Sequence, residues 1–507
     1  MLRSSPSLLL IQISILLTVA LYFANSPDFL TFPFHLTVGR WILHQQTVPQ
    51  EDLWTVFGEG KSWVSDSWLF DLVVASLERF GGSSALVACQ ILLVFTMLGT
   101  ASFILTRAAS DRFVGTLLAL LLGAALLHSS PFDPKVISYT LLLAQLGLVS
   151  SKLVQVSQSK FFYSSFLLAV VHVNVHSSFL IAAVVCSVLG YLHWRGADHR
   201  SPLKLLAAYL ILWVLASCCS PYVGGEVYAI LSYWWAEALA YIAHPLRPGS
   251  LLDFEFAFLV LFWIVIFMIA VAPVLRKTEL FVMIICSLVG ALDLRFTPYA
   301  LILLSWAAAT VWGRVELYAV TGFRGKFRDG IELLRERCLS FVRVARPIGI
   351  VWFLLCLAIV FGFRSFAQPA FYRGAPQVEV DFILAQPNYA PVIHSNYLGA
   401  YLIYRFSNAA GVPLDKAMLD RRSSAFRPES PNFDYSLNRD GGHWGKLIEA
   451  TRPRTAIVAD QDSLCHVLAS DFSWKVVFAN GNPVTQARFE PDVCRKVRGW
   501  IIFQYEE

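Results

Sequence analysis

The sequence predicts an α-helical polytopic membrane protein with a soluble α/β domain at its C-terminal end. Its composition is the first reason: of 507 residues, 56% are hydrophobic and 15% charged, which is more apolar than a soluble domain. Apolar runs of about 18 residues or more, long enough to cross a bilayer, recur along the chain. From residue 368 onward, short strand-like and helix-like segments alternate in a more polar sequence, which is typical of an α/β domain.

The apolar runs predict about eleven transmembrane helices. They cover residues 7–24, 83–106, 113–128, 136–153, 161–173, 177–193, 204–218, 252–274, 279–292, 298–312 and 349–363. The first run begins after the positive charge of Arg3, as a signal peptide would, but it is long for that role and we expect a retained anchor. The fifth and sixth runs nearly touch and could form one kinked element.

Charges in the short loops predict the orientation of these spans. Basic residues fall in alternate loops, which places the N-terminus in the cytoplasm and the chain after Arg364 outside. We therefore expect a transmembrane domain at 1–364 and a soluble domain at 365–507. The first domain includes an outer loop at 25–82 with amphipathic helices. It also includes a basic inner loop at 314–346, which is expected to lie on anionic lipid or, alternatively, to bind a partner.

Several classes of function find no support in the sequence. The net charge of +5 is modest, and the chain has no basic face joined to a nucleic-acid motif. No glycine-rich phosphate loop opens a helix of the C-terminal region, and no pair of cysteines has metal-site spacing. His172 and His176, four residues apart, could bind a metal on a helix, but the sequence suggests no third ligand. We therefore predict no nucleic-acid partner and no cofactor, although a divalent metal is possible. Cys465 and Cys494 could form a disulfide if the C-terminal domain lies outside the cytoplasm.

The loop after the first span carries the most informative motif. It reads HLTVGRWILHQQTVPQEDLWT from His35 and WVSDSWLFDLV from Trp63. These segments resemble the first outer loop of a bacterial family of membrane proteins related to the GT-C glycosyltransferases, which include mannosyltransferase-like and oligosaccharyltransferase-like enzymes. The family pattern is roughly D-P-D-x-W-W-H-L-x-x-G-x-W-I-L, I-P-x-x-D-P-F-S and W-V-x-H-E-W-L. The chain departs from it at residues 30–34, and Asp66 and Ser67 stand where the family has His and Glu.

The resemblance continues through later segments in the same order. PFDPKVISYTLLL, HVNVHSSFL, CCSPYVGGEVYAI and RFTPYALI are similar to family segments at or between spans, and HSNYLGAYLIYRF followed by AMLDRR is similar to the soluble tail. The resemblance implies a GT-C-like transmembrane domain in the bacterial inner membrane with a periplasmic C-terminal domain. It also implies transfer of a sugar from a polyprenyl-phosphate-linked donor to an acceptor at the periplasmic face.

Such a transfer requires a carboxylate that acts as a general base for the acceptor. GT-C enzymes place an essential acid in the first outer loop, just past the first span. That role would fall to Asp28, with Asp52 second. The alternatives are that Asp28 is a turn residue at the end of a helix and that Asp52 caps the segment that follows it.

The transfer also requires groups that hold the donor and its departing phosphate. The candidates for substrate binding are His35, Asp66, Lys135, His176 and Arg295. Each basic group has a structural alternative: His35 could be a satisfied interfacial histidine, and Lys135 and Arg295 could reach the lipid headgroups. His176, with His172 and Asn174, could form a hydrogen-bonded turn.

Two other functions remain open at this level. Because the acidic motif before His35 is lost, the chain could be a catalytically degenerate scaffold subunit of a cell-envelope complex with a protein partner. A transporter is the third possibility, but its ionisable groups would be expected mid-membrane, whereas the charges here cluster at the ends of the spans. Membrane lipids and a polyprenyl-phosphate sugar lipid are the other expected partners.

Overall fold

The structure is a computed structural model with a predominantly helical architecture. It describes residues 6–23, 32–56, 58–60, 62–127, 132–151, 153–196, 201–225, 296–315, 375–386, 388–394, 398–418, 451–460, 462–488, 492–497 and 499–506, and residues 227, 228, 231, 284, 290, 333, 336, 444, 448 and 449. The chain divides into two compact units. The first comprises Met1–Pro27, Gly81–Ser220 and Leu246–Phe371, and the second Asp28–Phe80, Pro221–Pro245 and Tyr372–Glu507.

Helices lie at the positions of eight predicted spans. In the first unit these are α1 (Pro6–Phe23), the later part of α3 (Trp68–Ala109), α4 (Arg112–Leu126), α5 (Pro134–Val149), α7 (Gln158–Val175), α8 (Phe179–Gly196), α9 (Pro202–Ser217) and α10 (Thr297–Val315). The short helix α6 (Leu153–Val156) lies between α5 and α7 in the sequence. Asp133 begins α5 by accepting a hydrogen bond from the Lys135 amide at 2.8 Å, with Pro134 in the first turn. The fifth and sixth predicted spans are separate helices, α7 and α8.

Helix α3 is longer than the apolar run within it. Two helical segments join at Gly82, whose φ of 60° lies in the left-handed region that glycine tolerates. The segment before this kink belongs to the second unit, and the predicted span at 83–106 follows it. The kink therefore separates a loop helix from a membrane-type helix.

Among the described residues, α3 is the single helix with the length and apolar composition to cross a membrane. Shorter apolar helices follow at Gln12–Tyr22, Arg112–Leu126, Pro134–Val149, Phe179–Arg195 and Pro202–Ser217. The predicted spans at 252–274, 279–292 and 349–363 lie almost wholly outside the described residues. The number of spans therefore remains a prediction.

A buried aromatic cluster packs α7, α8 and α9 together. Phe161 lies 5.8 Å from Trp194 and 6.0 Å from Tyr209, measured between ring centroids. The Tyr209 hydroxyl donates to Oε1 of Gln145 at 3.0 Å, and the Gln145 amide donates to the Ser165 carbonyl at 3.0 Å. The hydrogen bond from Gln145 to Ser165 also joins α5 to α7, and these two helices form an antiparallel pair connected by α6.

The second unit combines the first outer loop with the C-terminal part of the chain. Its elements are α2 (Phe32–Gln45), the start of α3, α11 (Gln377–Leu384), β1 (Val392–His394), α12 (Gly399–Arg405), β2 (Thr455–Ala459), α13 (Ser463–Ser470), β3 (Trp474–Ala479), β4 (Asn482–Arg488), α14 (Val493–Lys496) and β5 (Trp500–Tyr505). The strands form one sheet in the order β1-β2-β5-β3-β4. Strands β1 and β2 are parallel, and the other neighbours are antiparallel.

The central strands of the sheet, β2, β5 and β3, are covered on both faces. On one face, Val458, Val476 and Phe503 pack with residues of α13 and α14. On the other face, Ile457, Phe478 and Ile502 belong to a cluster that contains Phe34, Trp54 and Trp63 of the outer loop. The alternation of strand side chains between the two faces explains why nearly every residue of β2 is buried.

Direct hydrogen bonds join the outer loop to the C-terminal segment that follows α12. The Trp54 indole donates to the Gly411 carbonyl at 3.0 Å, and the Val56 amide donates to the Ala417 carbonyl at 2.9 Å. The guanidinium of Arg40 lies 5.0 Å from the ring centre of Tyr404. The sequence assigns residues 25–82 to the predicted transmembrane domain and does not predict this packing.

Candidate functional site

A histidine–aspartate pair joins α2 to the start of α3. Nδ1 of His35 lies 2.6 Å from Oδ1 of Asp71. The Asp71 side chain is wholly buried, whereas 13% of the His35 side chain is exposed. Asp71 lies in the first turn of α3, where the helix dipole favours a negative charge. The pair thus presents an imidazole at the surface with a carboxylate beneath it.

Gly39 explains how the two helices come close enough to form this pair. A Cβ atom at this position would lie 1.9 Å from the carbonyl oxygen of Asp71 and 2.7 Å from the Cβ atom of Ala75. The glycine therefore permits α2 to pack directly against the backbone of α3. His35 lies one helical turn before Gly39 and faces the same neighbour. The family motif that contains both residues thus has a physical basis.

Two serine hydroxyls complete the surroundings of the Asp71 carboxylate. Ser65 Oγ donates to Oδ2 at 3.2 Å, and Ser67 Oγ donates to Oδ1 at 3.3 Å. Ser67 Oγ also lies 3.4 Å from Nδ1 of His35. A Ser-His-Asp triad places the serine and the carboxylate on opposite ring nitrogens, whereas both approach the same nitrogen here. The arrangement orients an imidazole and is not that of a nucleophilic serine.

Burial governs the electrostatics of the pair. It raises the pKa of the Asp71 carboxyl above its ordinary value, while the His35 imidazole and the Ser65 hydroxyl oppose this shift. The nearby negative charge of Asp66 adds to the increase. His35 and Asp66, both predicted from the sequence, are thus brought together around a carboxylate that the sequence analysis did not select.

A second ion pair holds the same two helices one turn further along. Arg40 donates through Nε to one carboxylate oxygen of Glu78 at 2.8 Å and through a terminal nitrogen to the other at 2.6 Å. Burial alone would lower the pKa of the Arg40 guanidinium, but the hydrogen bonds and charge of Glu78 raise it overall. This bidentate contact fixes the orientation of α2 beside α3.

Tyr222 stabilises the loop segment that precedes Asp71. Its hydroxyl accepts a hydrogen bond from the Ser65 amide at 2.9 Å and donates to the Pro49 carbonyl at 3.1 Å. Tyr222 belongs to the segment that resembles the family's proline–tyrosine–glycine motif. A residue more than 150 positions away in the sequence therefore fixes the backbone next to the pair.

Asp52 forms a local turn. Its Oδ1 accepts from the amides of Trp54 at 3.1 Å and Thr55 at 3.3 Å, and its Oδ2 accepts from the Thr55 hydroxyl at 2.6 Å. The residue is buried. These contacts correspond to the capping alternative. Asp28, the other candidate general base, lies outside the described residues.

Lys135 and His176 lie in the first unit, at the same end of the α5–α7 pair. Lys135 is in the first turn of α5, with 53% of its side chain exposed and its Nζ 3.6 Å from Oδ2 of Asp133. His176 follows the last residue of α7 and accepts a hydrogen bond at Nδ1 from the Ser178 amide at 3.1 Å. Arg295 lies outside the described residues, two positions before α10.

Asp71 is not among the residues predicted from the sequence, because the family pattern that begins at Trp63 ends at Leu69. The sequence does contain a signal for Asp71. It is an acidic residue three positions after Trp68, at the start of an apolar segment, and acidic residues are favourable in the first turn of a helix. Among the described residues, no three His, Cys, Asp or Glu side chains form a group suited to a metal ion.

Comparison with known proteins gives a match at the level of structure. No protein-family model matches the chain, and no curated protein matches it in sequence. The crystal structure of apo oligosaccharyltransferase from Archaeoglobus fulgidus superposes with a TM-score of 0.52 and 11% identity, over 96% of this chain and 75% of that one.

Two further solved structures are similar over most of this chain. The same archaeal enzyme tethered to an acceptor peptide gives a TM-score of 0.48 at 10% identity, over 94% of this chain and 74% of that one. The mycobacterial arabinofuranosyltransferase AftD gives 0.43 at 12% identity, over 98% and 40%. The fold assignment rests on the apo enzyme. With 96% of its length superposed on that structure, the chain has the fold of this enzyme, the GT-C fold that its motifs implied.

Proposed function

We propose that the chain is a glycosyltransferase that moves a sugar from a polyprenyl-phosphate-linked donor to an acceptor at the periplasmic face of the bacterial inner membrane. The observation that carries the proposal is the His35–Asp71 pair, 2.6 Å apart, in the loop that follows the first helix of a GT-C fold. An imidazole oriented by a buried carboxylate suits the stabilisation of a departing phosphate. The alternating charges of the predicted loops support the proposed orientation of the chain.

Each proposed residue has a separate role in the transfer. Asp28 accepts the proton of the acceptor hydroxyl, whose oxygen forms a bond to the anomeric carbon of the sugar as the bond to the phosphate breaks. His35 donates a hydrogen bond to the departing polyprenyl phosphate, and Asp71 positions the imidazole from below. Lys135, His176 and Arg295 remain the residues that the sequence alone proposes for binding an anionic donor, and Lys135 could exchange its ion pair with Asp133 for a phosphate.

The test is donor turnover by the full chain in liposomes. A panel of polyprenyl-phosphate-linked hexoses and pentoses is supplied with the acceptor fraction of bacterial envelope, and released polyprenyl phosphate is measured by mass spectrometry. We expect release by the wild type and a fall of about 100-fold or more in Asp28→Asn, the range for loss of a general base. Full turnover in Asp28→Asn would reject the assignment of the base.

A specific observation favours a second candidate, the catalytically degenerate scaffold. Both carboxylate oxygens of Asp52 serve a turn, and the loop packs against the C-terminal sheet as a structural element. The scaffold predicts that the chain releases no polyprenyl phosphate from any donor and purifies with a stoichiometric envelope protein. Donor turnover without such a partner would exclude it.

A further inference from the structure

A groove opens on the first unit between α3, α5, α6 and α7. Its volume is about 900 Å³, within the range of about 300–1,000 Å³ that is usual for ligand sites. Its lining includes Ala144 and Gly147 of α5, Phe103 of α3 and Leu167 of α7. Gly147 allows α5 to lie close to α3, because a Cβ atom there would lie 2.2 Å from Cδ1 of Ile104.

The rim of the groove is apolar and exposed. The exposed fractions are 54% for Phe103, 47% for Leu167 and 81% for Val156. Exposed apolar surface of this kind marks a membrane or binding surface. Because α3 has the composition of a membrane-crossing helix, acyl chains are the surroundings that suit this rim.

One end of the groove is cationic. Arg107 is the single charged residue among those that line it, and its guanidinium lies 4.4 Å from the ring centre of Phe103. This cation–π contact holds the charge over the groove. Lys160 is exposed one turn before Ser164, which also lines the groove. Both cations lie where α3 ends and α7 begins, opposite the end that carries His176.

The length of the groove matches one leaflet. It runs along α3 from Gly99 to Arg107, which at 1.5 Å per residue is about 12 Å. Half of the hydrocarbon core of a bilayer is about 15 Å. A phospholipid acyl chain fits this length, whereas a polyprenyl chain would extend beyond it. Basic pockets between transmembrane helices are known to bind anionic headgroups on the cytoplasmic side.

We propose that this groove binds one anionic phospholipid, with an acyl chain over Ala144 and Gly147 and the phosphate at Arg107. The site is separate from the residues that we propose for sugar transfer and lies in the leaflet that the predicted orientation makes cytoplasmic. Loss of the site would leave donor turnover by the purified chain intact, so the two proposals fail independently.

The test compares lipid binding by the full chain and its variants, using native mass spectrometry after exchange into defined lipid. Dioleoyl phosphatidylglycerol and dioleoyl phosphatidylcholine are offered at equal mole fraction. We expect preferential retention of phosphatidylglycerol and about a fivefold loss of that preference in Arg107→Gln, which corresponds to about 1 kcal/mol per cation. The control is Arg195→Gln, which removes an exposed cation near the end of α8 and should leave the preference unchanged.

A second variant tests the acyl-chain part of the groove. A Cβ atom at Gly99 would meet nothing within 4 Å, so Gly99→Phe fills the groove, and we expect it to reduce retention of both lipids. Equal retention of the two lipids by the wild type, or an unchanged preference in Arg107→Gln, would overturn the proposal. Displacement of phosphatidylglycerol by an equimolar polyprenyl phosphate would assign the groove to the carrier lipid and would also overturn it.

Discussion

The imidazole of His35 and the carboxylate of Asp71 lie 2.6 Å apart, although 36 positions separate them in the sequence. The contact exists because Gly39 allows α2 to approach the backbone of α3. It turns the first outer loop into a small structured element with a buried acid beneath a partly exposed base.

The ionisation of Asp71 should make stability depend on pH. Burial raises its pKa in the folded protein above the unfolded value of about 4. The folded state therefore holds the Asp71 proton more tightly than the unfolded state does. The protonated carboxyl stabilises the fold fully below about pH 4, and this stabilisation is lost as the pH rises through the pKa that Asp71 has in the folded protein. The Asp71→Asn variant, which cannot ionise at this position, should not show this loss of stability at higher pH. Thermal unfolding of both proteins in one detergent, at several pH values above about 4, measures it.

Asp66→Asn is the matched control, because it removes the same charge from a half-exposed position in the same loop. It should keep most of the wild-type pH dependence. If the wild type instead gains stability relative to Asp71→Asn as the pH rises, the folded pKa of Asp71 is lowered, and the pair would be a strongly stabilising ion pair.

The attachment of the outer loop to the C-terminal segment should depend on Gly411. A Cβ atom at this glycine would lie 2.3 Å from the Thr37 carbonyl oxygen and 2.7 Å from the Trp41 amide nitrogen, at a φ of +74°. Gly411→Ala should therefore lower the free energy of unfolding by about 3 kcal/mol or more, through both backbone strain and displacement of α2. Denaturant unfolding followed by Trp fluorescence reports the change.

Gly481→Ala separates these two effects. Gly481 has a φ of +73°, but a Cβ atom there would meet nothing within 4 Å. In this variant the free energy of unfolding should fall by only about 1–2 kcal/mol, the cost of a left-handed backbone conformation for a residue with a side chain. Equal losses at the two glycines would mean that the contact with α2 contributes nothing to stability.

Cys465 and Cys494 form the disulfide that the sequence left open, and this bond should stabilise the C-terminal part of the chain. It closes a loop of 29 residues between α13 and α14, which corresponds to about 3–4 kcal/mol in the chain-entropy description. The double change to serine should lower the unfolding free energy by this amount, and a reducing agent should have the same effect on the wild type. Cys218 and Cys219 are free and exposed, and their replacement by serine should leave stability unchanged.

Asp52 should act through the turn that it forms. Asp52→Asn keeps an oxygen for the Trp54 amide but replaces the oxygen that accepts from the Thr55 hydroxyl. We expect a loss of about 1 kcal/mol in Asp52→Asn and up to about 2 kcal/mol in Asp52→Ala, with donor turnover retained in both once they are folded. Turnover abolished in a stable Asp52→Asn protein would show that this carboxylate takes part in catalysis.

Local structure was the part of the fold that the sequence could predict. The apolar run Thr455–Ala459 forms strand β2, as expected of a short apolar run bounded by polar residues. Helix α5 begins where Asp133 and Pro134 provide a cap and a first turn. Ala417, by contrast, forms an isolated bridge with Thr55. A single bridge has no periodic signal that could identify it.

The candidate site could be predicted only in part. The motif identified His35, and its charge and position were enough to select it as a binding residue. Its partner Asp71 depends on the close packing at Gly39, and the contact between Trp54 and Gly411 spans 357 positions. Such long-range pairings follow from packing between segments and leave no trace in local patterning.

The measurement that tests the central claim most directly is donor turnover by a matched pair of histidine variants. His35 and His44 lie on the same helix, but His44 is exposed in its last turn. We predict that His35→Gln reduces the release of polyprenyl phosphate by about 100-fold, as expected for a lost hydrogen-bond donor to a developing charge, while His44→Gln retains the wild-type rate. A folded His35→Gln protein that turns over donor at the wild-type rate would contradict the account.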